Sequence, residues 1–268
     1  PELWLATLPL SLQFVAVMFS TLPASLFMGR FGRRPVFLAG IFISVMATLT
    51  QAAAIMTGQF SLFVFGSMLL GCSHGIAQFY RYAAADGLPD KMKPKAISFV
   101  LLGGLAAAMI GPEIAYRFVG AIDGARYAGA FLVAGAVHVL AFIAVLGMDS
   151  PKPPRDQPQG RSLAIFISMS GFRLGLIAAA LGYAVMSFLM TATPLQIVNV
   201  SQFDVADNAR VIQWHVIAMF APSFVTGHLI SRFGVKQIMA AGLLMYAICI
   251  FAALSGTAFW HYFTALFL

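Results

Sequence analysis

Continuous apolar runs recur from one end of this chain to the other, and they restrict the folds open to it more than any motif does. Crossing about 30 Å of hydrocarbon as a helix takes roughly 20 apolar residues. Runs of that order occupy residues 3–28, 36–56, 61–82, 96–118, 127–148, 172–196, 208–230 and 236–255, and a ninth begins near Ala258. A transmembrane β-barrel would show short segments of alternating polarity instead. The expected class is all-α and polytopic.

Composition agrees. With 60% hydrophobic and 9% charged residues and a mean hydropathy of +0.89, the chain lies outside the range of soluble domains, where about a quarter of residues are charged. The net charge of +7 would suit nucleic acid in a soluble protein, but the basic residues stand between apolar runs and form no continuous patch, so no nucleic-acid partner is expected. Their placement orients the chain, because cytoplasmic loops keep lysine and arginine. Arg30, Arg33, Arg34, Arg81, Lys91, Lys93, Lys95, Lys152, Arg155, Arg161, Arg173, Arg232 and Lys236 fall on one side, and only Arg117, Arg126 and Arg210 on the other. The first side is therefore expected to be cytoplasmic. The first run then passes from outside to inside, and at least one further helix is expected upstream of Pro1. Cys72 and Cys249 lie inside apolar runs without metal or redox spacing, as small buried hydrophobes would.

One polar stretch interrupts the pattern. Residues 149–162, DSPKPPRDQPQGRS, are rich in proline and polar residues and are expected to form a cytoplasmic connection, with residues 163–170 as an interfacial approach to the next span. The expected division is a half bundle at 1–148, a linker at 149–170 and a second half bundle at 171–268.

An internal repeat relates the halves. SLFMGRFGRRPVFLAG at 25–40 aligns without a gap on GHLISRFGVKQIMAAG at 227–242, so that Arg30, Phe31, Gly32 and Gly40 match Arg232, Phe233, Gly234 and Gly242. Both copies fall in short cytoplasmic turns, where glycine permits sharp bends and arginine can cap helix ends or pair across the membrane face. Repeated bundles of this kind are the architecture of alternating-access carriers.

These turns resemble the signature of the major facilitator superfamily, G-x-L-a-D-r-x-G-r-r/k, which lies between the second and third helices and again between the eighth and ninth. Arg30, Gly32, Arg33 and Arg34 keep most of it in the first copy, and Gly227, Leu229, Arg232, Gly234 and Lys236 in the second. Gly29 and Ser231 stand at its acidic position, which the family uses as a conformational latch, and Ser25 replaces the first glycine. The strings QFYRYAAAD, GPEIA, FLMTATPL and IQWHVIAMFAPSF look like those of a bacterial permease subgroup. The resemblance implies two pseudo-symmetric six-helix halves, of which this chain carries the second to ninth helices and part of the tenth. It also implies a monomer in the bacterial inner (plasma) membrane that needs no cofactor and has a small-molecule substrate.

Candidate pathway residues are polar groups inside the spans, because such groups are costly in lipid and usually face a bundle interior or a water-filled cavity. Ser67, Gly71, His74, Gln78 and Arg81 recur at intervals of three and four on one helical face, which the resemblance makes the cavity-lining fourth helix. His74 and Gln78 would touch substrate or hydrogen-bond neighbouring helices; Arg81 would bind substrate or anchor at the cytoplasmic boundary. Tyr183, Met190 and Thr191 share a face of the next half's first span, where Pro194 could loosen the outer end. Gln213 or His215 facing inward would suit an aromatic or polar ligand, whereas Trp214 between them suits the interfacial aromatic belt. Glu113 is a candidate for proton coupling, with an ion pair to Arg117 at i+4 as the alternative. Gly103, Ala107 and Gly111 form a small-residue series suited to close helix approach. His138, His228 and His261 have no partners at metal-ligand spacing.

The expected function is secondary transport of a small organic solute by rocking of two bundles, proton-linked or facilitative. Drug efflux is an alternative, although Ser67 stands where drug antiporters carry an arginine in R-x-x-q-G, and a sensor-like or non-transporting fragment is another. The absence of a Walker loop, H-E-x-x-H or G-x-S-x-G argues against an ATP-driven pump or a membrane enzyme.

Overall fold

A computed structural model describes residues 5–89, 92–149 and 162–267. Twelve α-helices succeed one another in them: α1 (Leu8–Phe31), α2 (Arg33–Thr57), α3 (Phe60–Ala77), α4 (Tyr80–Ala83), α5 (Lys93–Arg117), α6 (Ala128–Leu146), α7 (Leu163–Ser168), α8 (Ser170–Leu195), α9 (Val205–Phe220), α10 (Ser223–Phe233), α11 (Val235–Leu254) and α12 (Phe259–Phe267). The chain divides into two compact units, residues 1–155 and 156–268. Seven helical stretches among the described residues are long and apolar enough to cross a membrane. Large side chains such as Phe188, Phe251 and Leu254 are 70–82% exposed, a surface that suits lipid and would be a liability in water.

In the first unit α3 packs against α1 and α2, and α2 packs on its other side against α6. Lipid offers apolar side chains the same environment as a neighbouring helix, so close approach must come from small residues and internal hydrogen bonds. Gly71 and Gly75 supply it between α1 and α3. A Cβ on Gly71 would stand 2.2 Å from the Gln13 carbonyl oxygen, and one on Gly75 2.2 Å from Ser20 Oγ. Gly40 and Gly66 do the same between α2 and α3, facing Ile76 and Gln51. Ala24, Met28, Val36, Phe37 and Ile76 form a buried cluster at one end, where the fully buried Phe37 ring meets Tyr80 edge-on at 4.7 Å.

In the second unit α12 packs against α9 and α11, as α3 packs against α1 and α2 in the first. Ile197, Val211, Tyr262 and Leu266 make its buried cluster. After Pro194, which has no N–H to give, α8 passes into a turn of π-helix at Gln196–Val200.

The expected unbroken span at 208–230 is not one helix. It divides into α9 and α10 at Ala221 and Pro222, because proline cannot donate the hydrogen bond that would continue α9. The expected close-packing series on α5 is also uncovered: nothing lies within 4 Å of a Cβ placed on Gly103 or Gly111. Cys249 is buried, whereas Cys72 is only half-buried. Lys91, Lys152, Arg155, Arg161 and most of the proposed linker lie outside the described residues.

Candidate functional site

Both units carry the repeated turn with the same backbone shape. Gly32 joins α1 to α2 at φ 88°, ψ 169°, and Gly234 joins α10 to α11 at φ 82°, ψ 156°. That region is open essentially to glycine alone. The Gly32 N–H bonds Met28 O at 3.0 Å and the Gly234 N–H bonds Ile230 O at 2.8 Å. Arg30 and Arg232 each lie 5.4 Å from the ring centre of the following phenylalanine. Gly227 lies within α10, and Lys236 is exposed in the first turn of α11.

The first turn is tied to its unit by charge. Arg33 grips Asp86 at two points, Nε to Oδ2 at 2.6 Å and Nη2 to Oδ1 at 2.9 Å. Arg34 donates to the carbonyl of Leu146, one of those that α6 leaves open at its C-terminus. With Gly29 at the signature's acidic position, the carboxylate facing Arg33 comes instead from the segment after α4. These contacts bring the α1–α2 turn, the end of α4 and the end of α6 to one end of the unit. A cavity of about 380 Å³ lies there, lined by Arg33, Phe37, Tyr80, Asp86, Val145 and Asp149, among others.

The polar stripe on α3 divides along its length. Ser67 and Gly71 are buried in helix packing, Ser67 accepting from Gln51 Nε2 at 3.0 Å and Gly71 against α1. They do not line a pathway within this unit, because α1 and α2 cover that half of the face. His74, Gln78 and Arg81 stay exposed beyond it, with no side-chain hydrogen bond to another described residue. Arg81 lies 5.1 Å from the Tyr82 ring centre.

Sequence reasoning missed a second polar seam. Ser44, Thr48 and Gln51 on α2 are all buried; Ser44 bonds Ser73, Gln51 bonds Ser67, and Thr48 lies 3.0 Å from a Cβ placed on Gly135 of α6. Their intervals of four and three carried the signal.

In the second unit Tyr183 is exposed, while Met190 and Thr191 are half-buried. The Thr191 hydroxyl donates to Ser187 O at 2.8 Å within its own helix. Gln213 and His215 are half-buried on α9, and exposed Trp214 stacks edge-on with Phe263. His215 lines a cavity of about 300 Å³ among α8, α9, α11 and α12; Tyr183, Met190, Thr191 and Gln213 lie off its wall. Glu113 pairs with Arg117 at 3.0 Å, and both are exposed. No group of three or more His, Cys, Asp or Glu among the described residues could hold a metal ion. His138 Nδ1 meets Ala134 O and His261 accepts from the Ala258 N–H, both local contacts.

Apolar helices in two units, a matched glycine turn in each and polar groups kept on open helical faces define a polytopic membrane transporter. The chain belongs to the Major Facilitator Superfamily, whose family model matches residues 4–268. Members of this family are transporters and not enzymes. Among its relatives, the riboflavin transporter RfnT of Brucella anthropi is 38% identical over 98% of this chain and 67% of its own length. The uncharacterized MFS-type transporter YddS of Bacillus subtilis is 25% identical over 84% of this chain and 56% of its own, and YdeG of the same organism is 28% identical over 76% and 51%. The chain thus spans between half and two thirds of the length of these relatives. Its fold matches the Escherichia coli fucose:proton symporter FucP with a TM-score of 0.60 and 15% identity, covering 98% of this chain and 74% of that one. A second FucP structure, in the outward conformation, gives 0.61.

Proposed function

We propose that the protein carries a small aromatic organic solute of the flavin kind across a bacterial inner membrane by alternating access of two half bundles, 1–148 and 171–268, joined by a cytoplasmic linker at 149–170. The observation that carries this reading is the open face of His74, Gln78 and Arg81 at the end of an otherwise apolar helix. All three are exposed and make no side-chain hydrogen bond to another described residue, and such groups are costly in lipid and suited to water or solute. The likeness to a riboflavin transporter supports a flavin as the solute to test. Tyr183, Met190, Thr191, Gln213 and His215 are the second half's own candidates for contact with the solute, and the glycine turns with Arg30, Arg33, Arg34, Gly227, Arg232 and Lys236 steer the conformational change. The carrier works as a monomer, with protons as the coupling ion.

Uptake of labelled riboflavin into proteoliposomes tests the reading. Saturable uptake that His74→Ala and Gln78→Ala reduce tenfold or more, with folding intact, supports it; wild-type uptake no faster than in empty liposomes overturns it. A pH gradient tests coupling, and equal rates with and without one remove the proton. Unchanged coupling in Glu113→Gln excludes that carboxylate, whose partner Arg117 already holds it.

A further inference from the structure

At one end of the first unit the arginine donors are committed and one carboxylate is not. Arg33 gives Nε and Nη2 to Asp86 at 2.6 and 2.9 Å and Nη1 to Phe79 O at 3.5 Å, and Arg34 donates to Leu146 O. The cavity of about 380 Å³ at that end has three charged residues on its wall, Arg33, Asp86 and Asp149. Arg33 and Asp86 neutralise each other, whereas Asp149 is exposed and forms no ion pair with a described residue. It also stands just beyond the C-terminus of α6, where the helix dipole disfavours a carboxylate. The wall therefore carries one net negative charge, and a cation is what complements it. The remaining wall is apolar, and Tyr80 and Met148 give it polarisable surface that suits an alkylammonium.

The depth of the cavity points to the source of such a cation. Arg33 opens α2, Asp86 follows the stretch Phe60–Ala83 and Asp149 follows α6, and these three segments are each long and apolar enough to span a membrane. Their ends meet at this cavity, at the level where lipid headgroups lie. Phe42 and Leu140, the sequence neighbours of the wall residues Ile41 and Ala141, are exposed apolar side chains against which acyl chains can lie.

We propose that this cavity binds the headgroup of an ethanolamine phospholipid, its primary ammonium donating to Asp149 and its acyl chains running along α2 and α6. An ionised carboxylate only accepts hydrogen bonds, so an ammonium bearing N–H groups satisfies it and a trimethylammonium, which has none, does not. An anionic headgroup meets Asp149 with like charge and finds the Arg33 donors taken. The lipid is held whatever solute the protein carries.

Native mass spectrometry of the whole detergent-purified protein, titrated separately with dioleoyl phosphatidylethanolamine, phosphatidylcholine and phosphatidylglycerol, tests this. The ethanolamine lipid is expected to bind at least about fivefold more tightly than the other two, the upper range for an exposed ion pair. Asp149→Asn is expected to remove that preference, and Asp123→Asn, which changes an exposed carboxylate near the opposite end of α6, to keep it. Equal affinity for the three lipids overturns the site, as does a preference that Asp149→Asn leaves intact or that Asp123→Asn also removes. Displacement of the lipid by an equal concentration of glycerophosphoethanolamine overturns it too, by making the cavity a site for a water-soluble amine.

Discussion

Gly71 shows how much one hydrogen atom in place of a side chain can decide. Within the first unit, α1 and α3 approach so closely there that an added Cβ would stand 2.2 Å from the Gln13 carbonyl oxygen and 2.8 Å from the Ala16 Cβ. Neither the backbone oxygen nor the alanine can swing aside, so the helices must separate. Gly71→Ala is therefore expected to destabilise the protein by about 1–3 kcal/mol, the usual cost of overpacking, read as a fall in thermal unfolding temperature in detergent. Gly103→Ala, with open space around it, serves as the control and is expected to leave that temperature unchanged or slightly raised. Both glycines belong to runs that read alike in sequence. What distinguishes them is the neighbour, and the neighbour is a property of the fold.

At the scale of elements, α2 is the most enclosed helix of its unit, and its polar seam tests what holds such a bundle together. Ser67→Ala leaves the Gln51 amide buried without its acceptor and is expected to cost about 1–2 kcal/mol, whereas the double change Ser67→Ala with Gln51→Leu is expected to be nearly neutral. Equal losses in the single and double variants would show that the seam contributes packing and not hydrogen bonding. Helix positions and the repeated turn were legible in the sequence, because hydrophobic length and glycine backbone preference are local. The break at Pro222 was legible in principle, but a long apolar run concealed it. The division of the α3 stripe was not legible, because periodicity shows that Ser67 and His74 share a face and is silent on which half of it α1 and α2 cover. The contact of His215 with Leu266 was less legible still, since fifty-one residues separate the two.

The whole molecule raises the question of which end faces the cytoplasm. The contacts of Arg33 and Arg34 gather the α1–α2 turn, Asp86 and Leu146 at one end of the first unit, which the positive-inside rule leads one to expect on the cytoplasmic side. Trypsin added to inside-out vesicles is expected to cut at Arg155 or Arg161, and the same sites are expected to be protected in right-side-out vesicles; the reverse pattern would invert the topology. The two glycine turns hold a further consequence. Gly32 and Gly234 share one backbone region, yet among the described residues it is the first turn that is tied by charge, Arg33 to Asp86 and Arg34 to Leu146. The chain thus carries a matched pair of turns, in which the backbone is held constant and the electrostatics vary. Alanine placed at each in turn costs about 1–3 kcal/mol from backbone strain. Any difference between them in transport rate measures what the surrounding charges add to the bend itself.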